Sequence, residues 1–217
     1  MLELNVMQRI AVWALPVLFA ITVHEVAHGW VARRLGDPTA MMMGRLTLNP
    51  IKHIDPVGTL LIPGVLLLLG GFVFGWAKPV PVTWENLRSP KRDMALVAAA
   101  GPIANLVMAL IWALVMKIGV TFSGSLDWMA IPMIYMGGAG ITINIILMVL
   151  NLLPLPPLDG GRVVTGLLPG AWAWRFSRIE PYGFFILLAL LATGALAYIL
   201  GGPVAFLQTA IFSFVGL

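Results

Sequence analysis

Six stretches of this chain, near residues 7–32, 57–76, 94–116, 129–153, 181–200 and 203–216, are apolar over lengths that a soluble domain of this size has no means to bury. A bilayer core of about 30 Å takes about 20 apolar residues per helical span. The last stretch is short for a span and carries no charge. With 60% of 217 residues hydrophobic and 10% charged, there is no room for a separate soluble domain. We expect an all-α polytopic membrane protein with about 5–6 apolar membrane segments, folded as one integral membrane domain over 1–217. Its core would cover about 7–165, with C-terminal membrane segments at about 181–216. The net charge of +4 reads as Lys and Arg in cytoplasmic loops, not as a nucleic-acid surface. With no cysteine there is no disulfide framework and no thiolate metal site. Glu3 offsets Arg9 and no small-residue cleavage site follows the first apolar run, so that run is expected to be a retained span.

Between the apolar segments lie short polar stretches. Residues 41–55, MMMGRLTLNPIKHID, alternate apolar and polar from Arg45 to Asn49, which predicts a short strand. The prolines of WAKPVPVTW at 76–84 exclude helix and a central strand position. Together the two stretches predict a small β element at the membrane surface.

Against this background HEVAH at 24–28 stands out, because ionisable groups inside a span are costly and need a partner or a function. On a helix, His24 and His28 lie one turn apart on one face, and both imidazoles can reach one Zn²⁺ at about 2.0–2.1 Å. Glu25 is placed to face a water in an open coordination position, first as general base and then as proton donor. Zinc also lowers the pKa of water that it binds. Metal binding explains a cluster of three polar residues, where one alone would be tolerable as helix-packing glue.

A catalytic zinc usually has three protein ligands. The chain has three histidines, so the third ligand is His53 or a carboxylate. The best-placed carboxylate is Asp159 in NLLPLPPLDGGRV at 151–163. Prolines 154, 156 and 157 end the preceding apolar run, and Gly160 and Gly161 allow a sharp turn. Irregular backbone at membrane depth needs surrounding protein or a water-filled cavity.

For His24, His28 and Asp159 to share a metal, the first span and the 129–153 span must run parallel. That requires 57–76 to be re-entrant, returning to its own side. Charge agrees with this fold. In the re-entrant arrangement 11 Lys and Arg fall on one side and 2, Arg9 and Lys117, on the other. A full crossing gives 8 against 5. The positive-inside rule then puts the site towards the cytoplasmic face.

The residues assembled so far resemble the site-2 protease family of intramembrane zinc metalloproteases. HEVAH looks like its zinc motif, NLLPLPPLDGG at 151–161 like its third-ligand motif, and GPIAN at 101–105 like its central G-x-x-x-N motif. GRLTLNPIKHIDPVGT and FGWAKPVPV look like its compact bacterial and archaeal branch. No PDZ-like domain is inserted between spans and no tail is long enough for a CBS domain, so the branch lacking both is expected. The resemblance implies Zn²⁺ as cofactor, with His24, His28 and Asp159 as ligands and Glu25 as the catalytic base. It implies regulated intramembrane proteolysis, hydrolysis of a peptide bond in or near a transmembrane helix of a membrane-protein substrate. The setting would be a prokaryotic plasma membrane, the partners the lipid bilayer, the substrate and an unidentified regulatory membrane protein, with no nucleic acid. Substrate pairing with the strand near 43–49 is a further expectation.

Three residues are candidates for substrate binding or site support: Asn105 in mid-span, Asn151 beside the Asp159 loop, and His53 with Asp55 nearby. Two rival functions use similar residues. A divalent-metal transporter would have no special need for Glu25 and often shows repeat symmetry, which is absent here. A non-catalytic protein that binds membrane helices could lose Glu25 and the ligands freely.

Overall fold

The computed structural model describes residues 5–62, 65, 75 and 77–217. Its helices, in chain order, are α1 (Val6–Arg34), α2 (Thr39–Met42), α3 (Pro90–Phe122), α4 (Asp127–Asn151), α5 (Asp159–Leu167), α6 (Gly170–Ser177), α7 (Glu180–Ala192) and α8 (Ala195–Val215). Four of them, α1, α3, α4 and α8, are long and apolar enough to cross a membrane. The all-α polytopic architecture is as expected.

Local chemistry sets the helix ends. Asn5 and Gln8 form a reciprocal capping box at the start of α1, each side chain 2.9 Å from the other's backbone N–H. Arg33 and Arg34 complement the negative end of its dipole. Pro90 opens α3, where a missing N–H costs nothing, and Asp93 accepts from the Ser89 N–H at 2.9 Å.

Small residues let α3 and α4 approach closely. A Cβ on Gly137 would meet Met116, one on Gly140 would meet the Trp112 ring, and one on Gly119 would come 2.9 Å from the Ala130 carbonyl. These pairings advance along α4 as they retreat along α3, so the two helices are antiparallel. Asn105 of α3 meets His24 of α1, and the earlier Val97 meets the later His28, so α1 and α3 are antiparallel too. Helices α1 and α4 therefore run parallel, and the connection 35–89 begins and ends on one face. On the opposite side of α3, Ile103, Val107, Ile111, Leu114 and Ile118 form an exposed stripe at helical spacing. An outward face that apolar has lipid as its solvent. The buried core of Ala109, Trp112, Ile141 and Ile145 also takes in Ile211 and Val215 of α8.

The surface stretches differ from expectation. No described residue is in a strand, so the β element over 43–49 and 76–84 is not formed. Gly44 turns with φ +63, and Asn49 starts a 3-10 turn at Pro50–His53 by accepting from the Ile51 N–H. Residues 77–83 are extended, as their prolines require, but their polar groups have no strand partner. Lys78 N–H donates to the His53 carbonyl at 2.9 Å, Val80 N–H to Glu25 and Thr83 N–H to Asp37. Pro79 and Pro81 have no N–H to give. With no strand at 43–49, a substrate has no ladder edge to join there. Of the segment 57–76, expected to be re-entrant, residues 57–61 belong to a π-helical turn at Pro56–Leu61, and the rest, Trp76 included, lies outside the described residues except for 62, 65 and 75.

The C-terminal boundaries also shift. The apolar run 181–200 breaks at Gly194, φ +75, so α7 is short. Helix α8 then runs unbroken through Gly201, Gly202 and Pro203, where a gap between segments was expected. Membrane helices tolerate such residues because neighbouring groups satisfy the backbone they free.

Candidate metal centre

His24 lies on α1 about 15 Å in from the helix's C-terminal end, at 1.5 Å per residue. His28 follows one turn later. Asp159 arrives from the other side, as the first residue of α5. The loop 152–158 folds back so tightly that a Cβ on Gly160 would strike the carbonyls of Leu152 and Leu153, and one on Gly161 would strike the Pro156 nitrogen. Only glycines allow the turn that delivers the aspartate. Within the trio, Asp159 Oδ2 is 3.2 Å from His24 Nε2 and 3.3 Å from His28 Nε2, and the two Nε2 atoms are 3.0 Å apart. Among the described residues this is the group of His and carboxylates whose donor atoms converge, all within 4.8 Å.

Hydrogen bonding determines what those donor atoms present. Asn144 Nδ2 donates to the Gly140 carbonyl at 2.8 Å, so its Oδ1 must face Asn105. Asn105 Nδ2 donates to that Oδ1 at 2.9 Å and to the Ala20 carbonyl at 3.2 Å. Both amide hydrogens are thereby used, and Asn105 Oδ1 faces His24 Nδ1 at 2.6 Å. His24 must donate from Nδ1. His28 does likewise, from Nδ1 to the Val97 carbonyl at 2.7 Å. In each neutral imidazole the Nε2 lone pair is then left pointing at the other and at Asp159. Asp159 Oδ2 is itself buried without a hydrogen bond. Two lone pairs and a carboxylate converging without a proton between them fit a divalent cation.

Glu25 and Asp159 both line a cavity of about 180 Å³ with the two histidines, Asn151 and Arg162. Glu25 is not a member of the converging trio. Its Oε2 accepts from the Val80 N–H at 2.7 Å, so the extended strap 77–83 holds the carboxylate from above. Gly101 supplies the floor, since a Cβ there would lie 2.5 Å from His24 Cε1 and from His28 Nε2.

The candidates for substrate binding or site support separate. Asn105 is fully buried against His24, a supporting position with no hydrogen left for a substrate. Asn151 lines the cavity, with its Nδ2 on the Leu147 carbonyl of its own helix at 3.0 Å. His53 lies apart from the trio, buried, with Nε2 2.9 Å from the Thr47 carbonyl. Val80, Arg162 and Trp84 were not singled out from the sequence. Val80 acts through its backbone, which its identity does not advertise. Arg162 lies 5.0 Å over the Trp84 ring at the cavity wall, and its place directly after DGG was a usable signal.

Comparison with known proteins identifies a family. The model of a family described as Peptidase family M50 matches residues 12–130 and 118–194. The chain is 40% identical over 191 residues to "Putative zinc metalloprotease YwhC" of Bacillus subtilis, covering 84% of this chain and 81% of that protein. It is 33% identical over 182 residues to "Putative zinc metalloprotease Rip2" of Mycolicibacterium smegmatis, covering 82% of this chain and 66% of that one. No solved structure matches.

Proposed function

The chain belongs to peptidase family M50, the site-2 protease family, and from that premise we propose that this membrane-embedded zinc metalloprotease hydrolyses a peptide bond in or near a transmembrane helix of a membrane-protein substrate, in regulated intramembrane proteolysis. One observation carries the proposal: His24, His28 and Asp159 converge inside a bundle whose outer faces are apolar. We assign these three as the ligands and Glu25 as the catalytic base. When bound there, zinc supplies Lewis acidity towards water and a carbonyl oxygen. Asn105 and the Val97 carbonyl keep both ligand rings in one tautomer and orientation. Glu25 takes a proton from the attacking water and returns it to the leaving amine. The Val80 N–H holds Glu25 at the cavity wall while it does so. A helical substrate hides its peptide groups in its own hydrogen bonds and must unwind to reach the cavity. The uneven distribution of Lys and Arg supports an active site towards the cytoplasmic side.

The test is a matched pair, wild type and Glu25→Gln, purified in detergent and incubated with a panel of single-span peptides. Both should carry about one zinc per chain, the occupancy of a single mononuclear site, and only wild type should cleave. Zinc in both with equal cleavage would remove Glu25 from the mechanism. Loss of zinc without unfolding after His24→Ala tests the ligand assignment separately.

A further inference from the structure

A second cavity, of about 440 Å³, lies on the other side of the strap. Its walls combine three cations, Arg45, Lys52 and Lys78, with Met43, Ile51 and Ile54, and none of the described residues that line it is acidic. Arg45 is the unusual member. It is only 8% exposed, yet no carboxylate among the described residues lies within ion-pair distance of it. Its Nη2 donates to the Lys78 carbonyl at 2.8 Å and to the Pro79 carbonyl at 3.4 Å, while its buried Nε has no hydrogen-bond partner. A desolvated guanidinium with a free donor is costly unless an anion completes it.

We propose that this cavity binds the phosphate headgroup of an anionic phospholipid. The surroundings select a lipid over a soluble anion. Met42, Met43, Leu48 and Ile51 beside it are exposed at 58–72% on a protein whose bare apolar faces meet lipid. Cations beside apolar walls match a charged headgroup and the first carbons of its acyl chains. The phosphate takes the Arg45 Nε–H, with Lys52 and Lys78 closing on its other oxygens.

The site communicates with the metal centre through the strap. Pro79 lines both cavities, and the next residue, Val80, donates the N–H that holds Glu25. An anion on Nε leaves Nη2 on the strap carbonyls and fixes the guanidinium that grips them. Lipid binding thereby steadies Glu25. This coupling, unlike the binding itself, rests on the protease function proposed above.

The experiment uses the full chain in neutral detergent, with native mass spectrometry and thermal unfolding as readouts. Phosphatidylglycerol and phosphatidylcholine with matched acyl chains are the probes. Phosphatidylglycerol should be retained and should raise the unfolding midpoint, and phosphatidylcholine should do neither. Lys52→Gln with Lys78→Gln, both exposed and remote from the fold's core, should weaken retention at least tenfold. Arg45→Gln should do the same if it folds, and the lysine pair decides if it does not. Equal retention of the two lipids overturns the proposal, as does retention unchanged by the lysine pair. Protection by inorganic phosphate alone reassigns the cavity to a soluble anion, and binding of an acidic peptide instead of lipid reassigns it to substrate. All binding is repeated on Glu25→Gln protein, so loss of the protease function and loss of the lipid site are read independently.

Discussion

Gly101→Ala places a single methyl group between the two imidazoles and the helix that supports them. The new Cβ would lie 2.5 Å from His24 Cε1 and His28 Nε2, and 2.6 Å from His24 Nε2. Carbon contacts are comfortable from about 3.5 Å, so both rings must retreat by about 1 Å. Zinc ligands tolerate about 0.2 Å. Disturbing one supporting contact of a ligand costs about 10–100-fold in metal affinity, and here both rings move. We expect zinc affinity to fall by at least about 100-fold, which is about 2.8 kcal/mol. Competition with a chromogenic chelator measures it directly, and cleavage should fall in parallel. Gly138→Ala is the control, because a Cβ there meets nothing within 4 Å. It should keep its zinc and gain slightly in helix stability, by at most about 1 kcal/mol. If Gly101→Ala holds zinc as tightly as Gly138→Ala, the imidazoles are not held where the structure puts them.

Further outcomes follow from other contacts. Asn105→Leu removes the acceptor that fixes the His24 tautomer, and zinc affinity measured by the same competition should drop about 10–100-fold with the helical circular dichroism unchanged. Asp37, fully buried after α1, accepts from the Thr39 hydroxyl, the Asn86 amide and the Thr83 and Thr39 N–H groups. Burial pushes its carboxyl up, but those donors outweigh it and hold it below its ordinary 3.8. Its stabilisation is therefore present above about pH 4 and is lost as pH falls through the lower folded value. Asp37→Asn should flatten the acid limb of the unfolding midpoint against pH, and an unchanged limb would show that another carboxylate governs it. Because the chain has no cysteine, Arg88→Cys and Lys117→Cys can be labelled singly in closed vesicles. They should react from opposite faces, and reaction from one face would show that α3 does not cross the membrane.

Much of the site was legible because polar groups in an apolar chain are conspicuous. HEVAH and Asp159 could be paired before any coordinates, since few other ionisable groups lie near a span. The same contrast fails at the surface. Alternation over 45–49 suits a strand, but it equally suits a turn with one side in lipid and the other in water, and the prolines of the strap left no ladder to stabilise the strand. Val80 could not be found from its side chain, because its backbone N–H does the holding. Asp37 was not singled out from the sequence, because Thr39 supplies two of its four donors locally but the Thr83 N–H and the Asn86 amide come from residues distant in the chain. The C-terminal boundaries went astray because Gly201, Gly202 and Pro203 would stop a helix in water and do not stop α8, whereas Gly194 does end α7 by taking a left-handed conformation.

The trio is divided between the first membrane helix and the turn that follows the third long one. A nascent chain with α1 inserted already carries both histidines and Glu25, yet it has no converging third donor and no Gly101 floor beneath the rings. The centre comes into being only when α3 has docked and α4 has passed its terminal turn. On the ligand assignment proposed above, proteolytic competence is expected late in biogenesis, and a chain truncated before Asp159 is expected to be inert in the bilayer. Metal capture by the proposed ligands would then join the earliest helix made to the last element of the core.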